Sequence, residues 1–398
     1  MKDQETEYSA AAFPSSLPWY VRPTARAWTC APPPPDARAF HTSLPGYAPT
    51  TLHELPDLAR ELAVARVFVK DESSRFGLPA FKALGASWAI DRILARHANG
   101  TQGAAAPQIL RFVTATDGNH GRAVARMARQ LGRRAHVFVP AGVHPAAVAA
   151  IEGEGAEVTA VAGSYDAAVS EARAAAAAPD AVLVQDMAWE GYEEIPALVV
   201  EGYATLFAEV DAQLAAAGAQ SPALVAVPVG VGSLAQAAVT HYRSGQSAEA
   251  STGRSTEASS GRNTEATSDA APPAMLSVEP VGAACVLASL RAGRLTHVPT
   301  GVTVMAGLNC GTPSALAWPV LRDGLDAAVA VTDADSTSAA RDLADLGVSS
   351  GPCGAASLAG VRAALTGTGS AERRAALGVG TDAIVVLINT EGADANPG

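Results

Sequence analysis

The chain has 398 residues, 28 of them basic and 39 acidic, for a formal net charge of −11. A chain of this length exceeds what one hydrophobic core usually serves, so two domains, or one domain with a large inserted lobe, are expected. The acidic balance and the lack of local basic clusters exclude nucleic acid and anionic membrane as general partners.

The opening residues, "MKDQETEYSA", carry acids where a secretory leader needs a basic and then an apolar segment, and no uninterrupted run of about 18 apolar residues follows. A cytoplasmic protein without a membrane span is expected. Residues 1 to 50 are rich in proline and small side chains ("SSLPWY", "APPPPDARAF", "SLPGYAPT"), which suits an extended arm over a surface. Beyond the arm, short apolar runs alternate with alanine-rich helical stretches: "ARVFVK" then "AFKALGASWAIDRILARHA", "ILRFVTAT" then "GRAVARMARQLG", "RAHVFVP" then "HPAAVAAIEGEG". The alternation continues through "EVTAVAG", "AVLVQDMA", "ALVAVPVGVGS", "AMLSVEP" and "AIVVLINTEG", and it predicts an α/β protein with twisted, mostly parallel sheets flanked by helices. One stretch breaks the rhythm. Residues 244–273 have almost no apolar side chains and contain a tandem repeat, "STGRSTEASS" then "SSGRNTEATS", which predicts a disordered surface insertion whose removal leaves the fold and chemistry intact.

Three local patterns carry chemistry. The first is "RFGLPAFKALG", which holds Lys82, one of only three lysines in a chain that otherwise draws its positive charge from arginine. A site that forms a Schiff base needs an amine that can deprotonate, and arginine cannot supply one. The second is "TATDGNHGR", a strand end that opens into a helix through Asp117, Gly118, Asn119, His120 and Gly121. Glycines there permit close approach, and free amides at a helix start favour an anion. The third is "ALVAVPVGVGSLAQAAV", a buried-strand pattern feeding a glycine loop. The backbone of Gly230, Val231, Gly232, Ser233 and Leu234 can wrap a phosphate there. No lysine follows that loop, so it is not a Walker motif. It does read GxGxxA, which leaves a nicotinamide-dependent oxidoreductase open, although the position of the ribose-binding acid falls in the polar insertion. Cys30, Cys285, Cys310 and Cys353 form no CxxC pair, and the histidines form no HExxH, so no metal site is expected. Buried thiols are the expectation for all four cysteines, with a permanent Cys285–Cys310 bridge disfavoured in a reducing compartment.

An amine, a helix-start Gly-Asn-His turn and a lysine-free glycine loop together call for a cofactor with an aldehyde and a phosphate, which describes pyridoxal 5'-phosphate (PLP). In this order they resemble the tryptophan-synthase-β-like, fold-type II PLP enzymes, over residues 50 to 395. Within that group "KDESSRFGLPAFKALGAS", "TATDGNHGR", "VQDMAWEGYEEIP", "VMAGLNCGTPS" and "NTEGA" resemble the signatures of the diaminopropionate ammonia-lyase family. Asp117 is the distinguishing letter, since the related serine and threonine dehydratases usually carry serine in that turn. The segment "SGPCG", residues 350–354, departs from the more usual polar version of its loop.

The resemblance implies two domains with the cofactor in the cleft between them: a large domain of residues 51–83 and 201–398, and a small one of residues 84–200. It implies that Lys82 holds the cofactor and acts as a base, with Asp117 a second base on the other face, and that Asp117 and Asp186 are the two acids that can recognise a cationic leaving group. It places Asn119 at the ring hydroxyl, residues 230–234 at the phosphate and Thr390 at the ring nitrogen. Trp189, Tyr192, Met305 and Cys310 are candidates for lining the pocket. The implied reaction is α,β-elimination of 2,3-diaminopropionate, D and L, by a homodimer acting on a small amino acid. A serine or threonine dehydratase and a catalytically idle amino-acid-binding relative are the rival readings.

Overall fold

The computed structural model describes residues 17–116, 118–244 and 271–395 except 101–110. Asp117 and most of the polar insertion therefore lie outside the described residues. In chain order the elements are β1 (Trp19–Val21), α1 (Asp36–Ser43), β2 (Leu52–Glu54), α2 (Pro56–Glu61), β3 (Arg66–Asp71), α3 (Ala83–Gly100), β4 (Arg111–Ala115), α4 (Asn119–Gln130), β5 (Arg134–Pro140), α5 (Pro145–Glu152), β6 (Glu157–Val161), α6 (Tyr165–Ala175) and β7 (Ala181–Leu183). There follow α7 (Glu194–Ala216), β8 (Leu224–Pro228), α8 (Ser233–Arg243), β9 (Ala274–Pro280), α9 (Cys285–Ala292), α10 (Trp318–Gly324), β10 (Ala327–Val331), α11 (Asp333–Asp345), α12 (Pro352–Leu365), α13 (Ser370–Leu377) and β11 (Ile384–Asn389).

The strands form two sheets, one of seven strands in the order β1-β10-β9-β8-β11-β3-β2 and one of four in the order β6-β5-β4-β7. The smaller sheet is parallel throughout. In the larger one β10, β9, β8, β11 and β3 run parallel, and β1 and β2 close the two edges antiparallel. Strands β8, β9, β10 and β11 are buried at every residue, so they are mostly apolar along their length and do not alternate, with Ser277 and Glu279 in β9 and Asn389 at the end of β11 the polar exceptions. Their side chains alternate between two cores. Val225, Val227 and Met275 face a cluster shared with α7, α8 and α10, while Leu224, Ala226 and Leu276 face one shared with α2 and α12.

The proline-rich arm is more than a covering strap. Trp19–Val21 pairs with β10, and His41 on α1 is fully buried, its ring bonded to Thr205 Oγ1 at 2.7 Å and Leu84 O at 3.0 Å. The insertion is pinned at its base, where Arg243 Nη1 donates to Pro273 O at 3.0 Å and Arg243 also pairs with the buried Asp326. Ser244 and Pro273 are themselves buried, so the polar segment begins and ends inside the limits expected from composition.

Lys70 and Arg75 show why so few basic groups sit in the core. Both are buried with Glu72 and Glu209, giving two positive and two negative charges in one cluster. Lys70 Nζ donates to Thr50 O at 2.8 Å, Glu209 Oε2 at 2.6 Å and Gln213 Oε1 at 2.9 Å, so each ammonium proton has an acceptor. This cluster anchors the segment leading to Lys82. α3, which starts one residue after Lys82, crosses α7 almost backbone to backbone: a Cβ on Gly202 would stand 2.5 Å from Leu84 O.

Candidate active site

Lys82 lies in a turn clamped to the end of β11. Phe81 N donates to Thr390 O at 3.2 Å, and Gly392 N donates to Pro79 O at 2.9 Å. Thr390 is buried there. The ammonium of Lys82 is bonded to Asp186 Oδ2, an ion pair between a half-buried lysine and a buried acid. Asp186 sits in the loop after β7, and its carbonyl accepts from Ser233 Oγ at 3.0 Å. That bond joins the acid's segment to the glycine loop. The loop is braced again by Ser314, whose N–H donates to Val231 O at 2.8 Å and whose Oγ accepts from Ala188 N at 3.2 Å.

His120 completes this corner. Its Nε2 bonds Val184 O at 2.8 Å, and because a carbonyl only accepts, that nitrogen carries the proton. Nδ1 then bears the lone pair of the neutral ring, is buried without a hydrogen-bond partner and stands 3.8 Å from Asp186 Oδ2. Burial lowers the affinity of His120 for a second proton. Burial alone would raise the pKa of Asp186, but the Lys82 ammonium outweighs it and holds the carboxyl well below the usual range. The acid is therefore ionised across the whole physiological range.

Asn119 opens α4 and donates through Nδ2 to Glu391 Oε2 at 2.7 Å. Glu391 is buried two residues past β11, and its Oε1 accepts from Cys353 N at 3.2 Å at the start of α12. Neither His120 nor Glu391 was singled out from the sequence, although both stand in quoted motifs, "GNH" and "NTEG". The signal for each is a partner distant in the chain. Residues of the "SGPCG" segment serve as supports: Ser350 Oγ donates to Asn389 Oδ1 at 2.7 Å.

The glycine loop fits an anion. Gly232 takes φ +100°, a conformation L side chains rarely adopt, and a Cβ on Gly230 would meet Cys310 Sγ and Gly307 O at 3.0 Å. α8 starts directly after Gly232 with no side-chain cap and no acid in its first turn, so its leading amides are left for a ligand. α4 starts the same way after Gly118. A nicotinamide reading gains nothing here, because the chain after α8 runs into the insertion.

The pocket-lining candidates separate. Trp189 and Tyr192 stack at 4.4 Å between ring centres beside the outer edge of β7. With Arg173 they line an open cavity of about 410 Å³ whose walls include none of the residues around Lys82. Met305 is fully buried core. Cys310 lies against Gly230, and Cys285 Sγ bonds Gly230 O at 3.7 Å, yet none of the four cysteines is in a disulfide; Cys285 and Cys353 are buried as expected, whereas Cys30 and Cys310 are only half-buried. Among the described residues no cluster of metal-ligating side chains occurs, and no helix is long and apolar enough to cross a membrane.

The family model described as pyridoxal-phosphate dependent enzyme matches residues 43–387. The chain belongs to that family. A diaminopropionate ammonia-lyase of Salmonella typhimurium is 37% identical over 313 residues, covering 75% of this chain and 72% of the relative. The Escherichia coli protein of that name is 34% identical over 374 residues, covering 89% and 87%. A crystal structure of the Escherichia coli diaminopropionate ammonia-lyase, in complex with an aminoacrylate–PLP azomethine reaction intermediate, superposes with a TM-score of 0.78 at 31% identity and covers 95% of each chain. The fold is that of the fold-type II PLP enzymes, and the cofactor of the family is PLP.

Proposed function

We propose that the protein converts 2,3-diaminopropionate and water to pyruvate and two molecules of ammonia. The observation that carries this reading is the buried, ionised carboxylate of Asp186, neutralised by the Lys82 ammonium. When Lys82 loses its proton, Asp186 is left as an uncompensated buried anion, which is costly. A substrate with a β-ammonium restores the pairing, and a β-hydroxyl does not. The site thus selects a diamino acid over serine or threonine and draws the cationic leaving group to the acid.

PLP, when bound, supplies an aldehyde that captures an amine and a conjugated ring that accepts the electron pair released at Cα. Residues 230–234 and the start of α8 hold its phosphate, Asn119 its ring hydroxyl and Thr390 its ring nitrogen. A neutral hydroxyl at that nitrogen keeps the ring a mild electron acceptor, which suits elimination. Lys82 is the base for the Cα proton of the L substrate. Asp117, outside the described residues, is the base for the D substrate. We read residues 84–200 as a small domain, because the four-stranded sheet falls within them, and residues 51–83 with 201–398 as the large one, with the cofactor in the cleft between. We also read the protein as a cytoplasmic homodimer; light scattering at micromolar concentration tests the dimer.

The test is pyruvate formation from both enantiomers of 2,3-diaminopropionate, serine and threonine. Diaminopropionate is expected to be turned over fastest, and Asp186→Asn is expected to narrow its advantage over serine. Serine turned over equally well by the unaltered protein, or a ratio unchanged in Asp186→Asn, refutes the reading. Asp117→Asn is expected to lower turnover of the D substrate by a factor of about 10² to 10⁴ and of the L substrate by less. Equal losses for both remove the two-base assignment and leave the reaction standing.

A further inference from the structure

We propose that Glu391 is a positioning residue that fixes which end of the Asn119 amide faces the cofactor. The inference rests on the assignment of Asn119 to the ring hydroxyl and is independent of the substrate.

An asparagine amide is almost symmetric in shape, so packing alone does not choose between its two ends, and only hydrogen bonding orients it. The group opposite Asn119 is the Glu391 carboxylate, at 2.7 Å from Nδ2. In this contact Nδ2 is the donor and Glu391 Oε2 the acceptor, so the amide turns its NH₂ toward Glu391. That leaves Oδ1 and the second N–H of Asn119 for the oxygen substituent of an aromatic ring, in a fixed arrangement. The other carboxylate oxygen is held by the N–H of Cys353 at 3.2 Å, so a rotation of Glu391 that releases Asn119 breaks that bond as well. Glu391 is 2% exposed, which removes water as a competing partner. Three elements meet at this one side chain: α4 beside the smaller sheet, the segment after β11, and α12.

Glu391→Gln separates orientation from bulk. Cys353 N–H requires an oxygen opposite it, so the new amide turns its NH₂ toward Asn119, and Asn119 must turn end over end to answer with Oδ1. The contact to the ring is then made with donor and acceptor exchanged. The measurement is the dissociation constant of PLP from apoprotein by fluorescence titration, together with the visible absorption maximum of the reconstituted protein. Glu391→Gln is expected to weaken PLP by about tenfold, the worth of one hydrogen bond, and to shift the absorption maximum. In an Asn119→Ala background the same change is expected to have no further effect on either quantity. Equal weakening in both backgrounds overturns the proposal, because Glu391 then acts through the fold and not through Asn119. Should Glu391→Gln not yield folded protein, Glu391→Asp, which keeps the charge but shortens the reach, is subject to the same rule. If Asn119→Ala binds PLP as the unaltered protein does, the assignment of Asn119 falls and this proposal with it. If Asn119→Ala weakens PLP and the two changes add, only the proposal falls.

Discussion

Replacing Glu209 by glutamine removes one of two negative charges from the buried cluster that also holds Lys70, Arg75 and Glu72. The carboxylate accepts from Lys70 Nζ at 2.6 Å, from Arg75 Nη1 and Nη2 at 2.8 Å, and from Tyr47 Oη at 2.9 Å. Burial works against its charge, but the hydrogen bond from Arg75, and then the charges of Arg75 and Lys70, hold its pKa below the ordinary 4.5. Glutamine keeps the shape and one acceptor, and leaves the cluster with a net charge of about +1. Breaking a buried pair from one side costs about 3–5 kcal/mol, against a total stability of about 5–15 kcal/mol for a typical protein. Lys70→Met errs in the opposite direction and leaves a net negative charge. Combined, the two changes restore neutrality around Arg75 and Glu72. Urea unfolding at pH 7 is therefore expected to show each single variant destabilised by about 3–5 kcal/mol, and the double variant less destabilised than their sum by at least about 1 kcal/mol. Because the folded pKa of Glu209 is depressed, its stabilisation is present above the unfolded value of 4.5 and is lost as pH falls through the depressed one, so the cost of Glu209→Gln shrinks in acid. Strict additivity, or a Glu209→Gln cost under about 1 kcal/mol, refutes the view that charge balance holds this cluster together.

Lys82→Ala is expected to abolish borohydride-fixed PLP in peptide mass spectra and to lower turnover by at least ~10², with the circular dichroism unchanged; cofactor fixed elsewhere refutes the assignment. Replacing residues 245–270 by a short Gly/Ser linker, with Arg243, Ser244 and Pro273 retained, is expected to leave PLP binding and the unfolding midpoint nearly unaltered, since the Arg243–Pro273 bond already closes the loop; a large loss shows that the segment supports the site or the assembly. Burial raises the Glu279 carboxyl to about 8 from 4.5, against the N–H groups of Val286 and Leu287, so the native state keeps a proton that the unfolded chain releases and stability falls as pH rises from 4.5 to about 8. Glu279→Gln removes that dependence, and its stability relative to the unaltered protein is expected to be higher at pH 8 than at pH 5; a difference independent of pH refutes the raised value.

The parallel core strands are legible because burial on both faces leaves a near-continuous apolar signature, as in β8 and β11. The strand "AAVAV" of β10 is equally buried, but alanine carries no strand signal, and it passed unnoticed. The edge strands β1 and β2 have three residues each, too few to show a period. At the candidate site, Lys82, the Gly-Asn-His turn and the glycine loop stand out in the sequence as candidates because each is a local turn with its own chemistry. The bond from Asn119 to Glu391 spans 272 positions, and the ion pair from Lys82 to Asp186 spans 104. Pairings of that kind leave no local trace in composition or spacing. Lys70 shows the same limit from the other side: nothing in the residues around it signals a structural role, and its three acceptors reveal one.

The burial of Lys70 also makes amine chemistry among the described residues selective. With three lysines in the chain, Lys2 outside the described residues and Lys70 fully enclosed, Lys82, its side chain 23% exposed, is the one lysine among the described residues that an acylating reagent can reach. On the proposed assignment, the cofactor attached there shields the same nitrogen. The yield of acylated Lys82 in a peptide digest is therefore an inverse gauge of cofactor occupancy, and it needs no turnover, no substrate and no chromophore to read.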